Sequence, residues 1–448
     1  MPRQKTPLVI DMSAAAETAV GSRSSSAAWL DHVLFYGTLA LLMFGPLAFG
    51  ATVPWAQFVQ RTMAIALIAI VAARYYFQGE VELSRNPLLL PSLIFCGFIV
   101  LQFAIGWTAY RYATLSAALD LIPCGALVLV AGETFSRRRK LREFLLAMAV
   151  FGFVVALFAI VQDLSNSQKI YWLVQAHGVS AAIYGPYANH NHYAGLMEML
   201  VPLAGAAAFV GQGGKRILLL FATAIMAASI VLSRSRGGML GLAVAMIFVC
   251  AVLFRMNRRG RAALAIVVLV VAVVTLVLVL ANDKILQRLT ETQDNYRLAI
   301  YRDCLQMWLH KPFLGFGWGT FSTVYPEYRS FFTNLFVNSA HNDYLELLVE
   351  MGLTGLAIAG WFLYKVFRSG FQKIFDRGDY EGGVMCIGVV TGVVSLLAHS
   401  ILDFNLHIPA NAALFYTLCS VAATPYKHRV RKVEFTCVEA EPDPLMVD

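Results

Sequence analysis

The chain has 448 residues, of which 58% are hydrophobic and 14% charged. No water-soluble domain could hide that much apolar surface, so the composition excludes an ordinary soluble protein. The net charge of +8 comes from basic loops between apolar runs, which reads as membrane topology and not as nucleic-acid binding.

The first 28 residues are polar and Ala/Ser-rich, with Arg3, Lys5 and Arg23. They are expected to form a disordered tail before an uncleaved signal-anchor helix. A membrane span needs about 20 mostly apolar residues, and reading at that length gives about twelve of them. They fall at 29–50, 59–78, 87–108, 112–132, 141–162, 192–210, 216–232, 237–254, 262–281, 341–364, 382–402 and 408–424. Only the polar run from Ser233 to Gly238 separates spans seven and eight. The fold class is therefore an all-α integral membrane protein. A polytopic domain over 29–424 carries one large outer loop, 282–340, between spans nine and ten, and residues 425–448 form a tail.

Basic residues fall in every second gap. Arg85 follows span two, Arg137 to Lys140 and Arg142 follow span four, and Lys215 and Arg216 follow span six. Arg255, Arg258, Arg259 and Arg261 follow span eight, and Lys365, Arg368, Lys373 and Arg377 follow span ten. Lys427, Arg429, Arg431 and Lys432 follow the last span. The positive-inside rule places these gaps and both termini in the cytoplasm. Of the seven cysteines only Cys304 is expected outside, so it has no external disulfide partner.

Outer gaps are long at 162–191 and 281–340. In the second, Asn295 to His310 shows helical spacing closed by Pro312. The glycines and aromatics from Phe313 to Gly319 suggest a tight segment at the interface. Tyr325, Tyr328, Phe331 and Phe332 would suit an aromatic belt there.

Polar clusters gather at the outer ends of the spans. Tyr184 to Tyr193 holds Tyr187, Asn189, His190 and His192. Ser233 to Gly238 holds Arg234 and Arg236. The loop helix holds Arg297 and Arg302, and His341, Asn342 and Asp343 enter span ten. A smaller group is Asp403, Asn405 and His407. Mid-span regions hold almost no ionisable residue. Arginine at membrane depth is costly and needs an anion, and a diphosphate matches the guanidinium fork. Arg236 and Arg297 are thus candidates to grip a lipid diphosphate, the alternative being snorkelling or pairing with Asp303 or Asp343. Gly352 and Gly355 lie close to the helical line through His341, which puts that imidazole at the mouth of an inward-packing face. It could accept a proton from a sugar hydroxyl, or be structural. His190 and His192 lack a metal-ligand pattern around them. They suit hydrogen bonding to sugar or phosphate, or capping of span six.

At these residues the chain resembles the O-antigen ligase and O-antigen polymerase superfamily. His341-Asn342 followed by Gly352 and Gly355 fits the ligase motif. Arg297, Trp308 and Lys311 to Gly317 look like the family's loop helix and glycine segment, and Ser235-Arg236-Gly237-Gly238 resembles its middle-span Ser-Arg-Gly. The resemblance covers about 185–405. Where the ligases carry Leu four residues after an Arg, this chain has Tyr301 after Arg297 and Gln306 after Arg302. The loop arginine stays open between the two, which on a helix point about 140° apart; Arg297 is favoured by its distance from Trp308.

The resemblance implies an enzyme of the bacterial inner membrane with a periplasmic active site and no cofactor or metal. It implies inverting transfer of a glycan from undecaprenyl diphosphate to an acceptor hydroxyl. His341, Arg236 and Arg297 would be catalytic. Arg234, Arg302, Asn189, His190, His192, Tyr187, Asn342 and Asp343 would bind substrate. The acceptor would be lipid A–core for a ligase, or a second carrier-linked glycan for a polymerase. A protein O-glycosyltransferase and a lipid-linked sugar transporter are the further alternatives. The expected partners are the glycan donor, the acceptor and membrane lipid, with no nucleic acid.

Overall fold

The computed structural model describes residues 12–78, 86–175, 182–256, 295–334 and 336–426, with side chains from Trp29 onward in the first helix and from Tyr296 in the loop. The expected span nine, 262–281, lies outside the described residues, as do most residues of the tails and Arg85, Arg258, Arg259 and Arg261. Helices dominate: α1 (Met12–Leu47), α2 (Pro54–Gln78), α3 (Leu89–Ala104), α4 (Arg111–Leu119), α5 (Leu121–Thr134), α6 (Arg138–Leu164), α7 (His190–Val210), α8 (Gly213–Leu232) and α9 (Arg236–Arg255). After the undescribed segment come α10 (Asn295–His310), the short α11 (Phe321–Val324), α12 (Asp343–Ile374), α13 (Tyr380–His399) and α14 (Pro409–Ala423). A two-stranded hairpin, β1 (Lys169–Ile170) with β2 (Val174–Gln175), lies between α6 and α7.

Among the described residues nine helical stretches are long and apolar enough to cross a membrane, and α3 and α14 are shorter apolar helices. Three differences from expectation appear. Residues 12–28, expected as tail, continue α1. The expected fourth span is broken at Asp120 into α4 and α5, where Asp120 receives Arg61 at 2.6 Å. The spans are also not free of ionisable groups. Glu198 lies inside α7, Glu346 and Glu350 inside α12, and Arg74 on α2 pairs with Glu133 on α5 and Asp31 on α1. Each is paired or hydrogen-bonded, which is what a low-dielectric interior requires of it.

At the centre is α7, packed against α6, α8, α9 and α13. Both α7 and α13 are almost wholly buried, and their small residues let the backbones close. Gly388 of α13 lies against Ala206 and the Pro202 carbonyl, and Gly392 against the Met199 carbonyl.

The loop before α12 builds a separate core with the start of that helix, from Ile300, Cys304, Met307, Phe316, Phe321, Val324, Tyr325 and Val349. Tyr325 therefore does not join an aromatic belt. It is buried, stacks on Phe321 and donates to Asp303 at 2.9 Å, while Phe332 is exposed. The loop docks on a break in α12. Gly352 has φ 63° and ψ −163°, outside helical geometry and in a region few L side chains adopt. The break releases the backbone groups around it. The carbonyls of Val349 and Glu350 accept from Phe316 and Gly317 at 3.0 and 2.8 Å, and the Leu353 amide donates to the Pro312 carbonyl at 2.8 Å. The Glu350 carboxylate then takes the amides of Gly319 and Phe321 at 2.8 and 2.9 Å. The glycine segment thus plugs the kink in the helix.

Candidate active site

His341 does not stand on the α12 face with Gly352 and Gly355. It precedes the helix, with φ +51°, and the kink at Gly352 removes the straight helical line between them. Asn342 is the N-cap, its Oδ1 accepting from Tyr344 and Leu345, both at 3.0 Å. Its Nδ2 donates to the Ile401 carbonyl at 2.9 Å. This cap fixes the exit angle of the chain and turns His341 toward the α13–α14 connection.

That connection, His399 to His407, is where the separate clusters converge. His341 Nδ1 faces Asp403 Oδ1 at 3.4 Å, and its ring meets Phe404 edge-on. Arg297 donates to the Leu402 carbonyl at 3.0 Å. Tyr301, one turn along the same face of α10, donates to the carbonyls of His341 and Ile401 at 3.0 and 3.2 Å. The Asp343 amide donates to the Ser400 carbonyl at 3.0 Å. On the other side, Asn411 donates to the His192 carbonyl and to Asn405, at 2.8 and 3.0 Å, tying the start of α7 to the same connection.

Asp403 is buried, which opposes its ionisation. The hydrogen bond from His341 and the nearby His192 and His399 rings outweigh this and hold its carboxyl well below the usual range. A buried carboxylate beside Nδ1 of a half-exposed imidazole is the arrangement that orients a general base. At 3.4 Å the contact is long for a hydrogen bond, as such contacts often are before substrate binds.

A second imidazole is held differently. His407 Nδ1 faces Asp343 at 2.9 Å and Nε2 faces Glu346 at 3.3 Å, so both nitrogens are occupied by carboxylates. Burial lowers its proton affinity, but Glu346 and Asp343 outweigh it and raise the pKa to about 10. A charged His407 then clips α12 to the connection. Because the folded pKa is raised, this stabilisation is complete below the unfolded value of about 6.5 and is lost as pH climbs through 10. The melting temperature in detergent should therefore fall between pH 6.5 and 10, and His407→Gln should flatten that decline. A variant profile parallel to wild type would refute the charged clip.

The candidate residues lie in different surroundings. Arg297, half-buried, faces the connection; Arg302 is exposed. Arg236 is the first residue of α9, half-buried, after the N-cap Ser235, whose Oγ accepts from Gly238 at 3.1 Å. Arg234 is turned to Asp163 at the end of α6, 3.6 Å away, and so has a protein anion for its charge. Asp303 accepts from Tyr325, and Asp343 faces His407. Tyr187 is buried and donates to Asn411 at 3.0 Å. Asn189 caps α7 through the Asn191 amide at 2.9 Å, and His192 is buried against Phe404. Asn342 and Asp343 likewise have their polar atoms engaged by protein. His190, the first residue of α7, stays half-buried at the same end. Asp403, Tyr301 and the Glu198–His399 pair were not among the candidate site residues. The shared i, i+4 face of Arg297 and Tyr301 was a signal for Tyr301 alone.

An O-antigen ligase family model matches residues 221–360. The matched stretch runs from α8 into α12 and contains Arg236, Arg297 and His341, while α7 and the His399–His407 connection lie outside it. No curated protein matches the chain. Over residues 221–360, about a third of its length, the chain is therefore similar to the O-antigen ligase family.

Proposed function

We propose that the protein transfers a glycan from undecaprenyl diphosphate to an acceptor hydroxyl, as an O-antigen ligase does. The observation that carries this reading is the convergence of His341, Asp403 and Arg297 on one connection, at the end of the bundle where α9 begins with Arg236. In this reading both termini are cytoplasmic and the site opens to the periplasm of a Gram-negative inner membrane. The basic gaps support that orientation.

Asp403 holds Nδ1 of His341, which leaves Nε2 for the acceptor. The acceptor oxygen attacks the anomeric carbon from the face opposite the carrier and forms the new glycosidic bond. Its proton passes to Nε2, and the bond to the diphosphate oxygen breaks with its electron pair on the diphosphate. Arg236 and Arg297 stabilise that charge. Arg297 spends one donor on Leu402 and keeps others in its fork for phosphate oxygens. No nucleotide is required, because the lipid carrier already activates the sugar.

Spans free of ionisable residues would speak against a transporter of the lipid-linked glycan. The buried Glu198, Glu346 and Glu350 remove that reason, and the family match is what favours transfer. The test is a lipopolysaccharide gel on a strain lacking the gene, with carrier-linked glycan measured beside it. Bare core with long chains accumulating on the carrier is the expected result for a ligase. Core bearing one repeat unit would instead mean a polymerase. An unchanged ladder would refute both and point to another acceptor or to transport.

A further inference from the structure

Glu198 of α7 and His399 of α13 have no role of their own in the transfer above, where His399 enters only as a ring near Asp403. Their Oε1 and Nδ1 are 3.1 Å apart, and neither side chain has any exposure. A net charge in such a place is strongly disfavoured, so the pair holds one proton between its two facing atoms. Whether that proton rests on Glu198 or on Nδ1, the far nitrogen of His399, Nε2, also carries a hydrogen. Neither Nε2 nor the outer oxygen Oε2 of Glu198 has a hydrogen-bond partner among the described residues.

Those two atoms face α9. A Cβ placed on Gly237 would strike the His399 ring at Cδ2 and Nε2, and one placed on Gly241 would strike Glu198 Oε2. Gly237 and Gly241 are one turn apart on one face of α9, and Gly237 directly follows Arg236. On its other side His399 is the root of the connection. Its carbonyl accepts the amides of Leu402 and Asp403 at 2.8 and 3.2 Å. One residue thus touches both the helix that starts with Arg236 and the turn that holds Asp403 and, through it, His341.

We propose that Glu198 and His399 are positioning residues that seat the first turn of α9 and set Arg236 relative to His341. The inference rests on the assignment of Arg236 to the leaving diphosphate. An apolar filler could match the shape of this seat. The polar pair adds one fixed ring orientation, because Nδ1 has a single partner.

The test uses the full-length protein in liposomes, with carrier-linked glycan extracted from a strain lacking the gene, and rates measured against donor concentration. His399→Gln and Glu198→Gln should each lower kcat by about 10-fold or more with KM for the donor nearly unchanged, since small misplacements of a catalytic group act on turnover. His399→Gln combined with Arg236→Lys should be little slower than Arg236→Lys alone, because both act on one interaction. Wild-type kcat in the Gln variants, multiplicative losses in the double variant, or failure of the Gln variants to accumulate would each overturn the proposal, the last by marking the pair as packing support. Wild-type turnover in Arg236→Ala would instead sink the diphosphate assignment itself.

Discussion

Replacing His341 by alanine should lower glycan transfer by about 10²–10⁴-fold, the usual contribution of a positioned general base. Protein abundance should be unchanged, because His341 lies outside α12 and the cap that starts the helix is Asn342. The side chain is half-exposed, so its loss leaves no closed cavity. Asp403→Asn should act in the same direction with a smaller effect. An amide keeps the shape and can still accept from Nδ1, but it no longer favours the charged imidazolium that forms as the proton moves. Rates for both variants, measured in liposomes with membrane content normalised, decide the matter. Full activity in His341→Ala would place the base elsewhere.

Arg236→Ala should cost about 10²–10³-fold in turnover, as expected for one donor to a developing oxyanion. Arg236→Lys should fall between the two, because a point charge replaces a planar fork. The loss should appear in kcat more than in KM, since charge on the diphosphate grows as the bond breaks. Arg297→Ala should affect both constants. Its guanidinium also holds the Leu402 carbonyl, so removing it loosens the connection as well as the diphosphate grip. Equal losses in KM alone for both arginines would mean that they bind donor without assisting departure.

Much of the architecture could be read from periodicity and charge. Apolar runs of span length appear as helices, and the break at 233–235 between α8 and α9 coincides with the polar run there. The loop helix occupies Asn295–His310, because Pro312 cannot continue it. Helix ends were less legible. A sequence shows that Asp120 interrupts an apolar run, but not that Arg61 waits 2.6 Å away to make a break at that point stable.

The sequence by itself determined the class of molecule, the grouping of its polar residues at span ends, and the identity of Arg236, Arg297 and His341 as candidates. These depend on composition and on spacing along one chain, which are local properties. Only the tertiary structure decided what each candidate touches. Arg234, Tyr187, Asn189, Asn342 and Asp343 carry suitable chemical groups, yet each is turned to a protein partner. Asp403 joins His341 across 62 positions of chain, and Glu198 meets His399 across 201. The kink at Gly352 depends equally on a distant segment, because the backbone groups it frees are satisfied only by the glycine plug at 312–317. Partners this far apart leave no periodic trace, since nothing local constrains them; burial and the need to satisfy every polar atom select them when the helices pack.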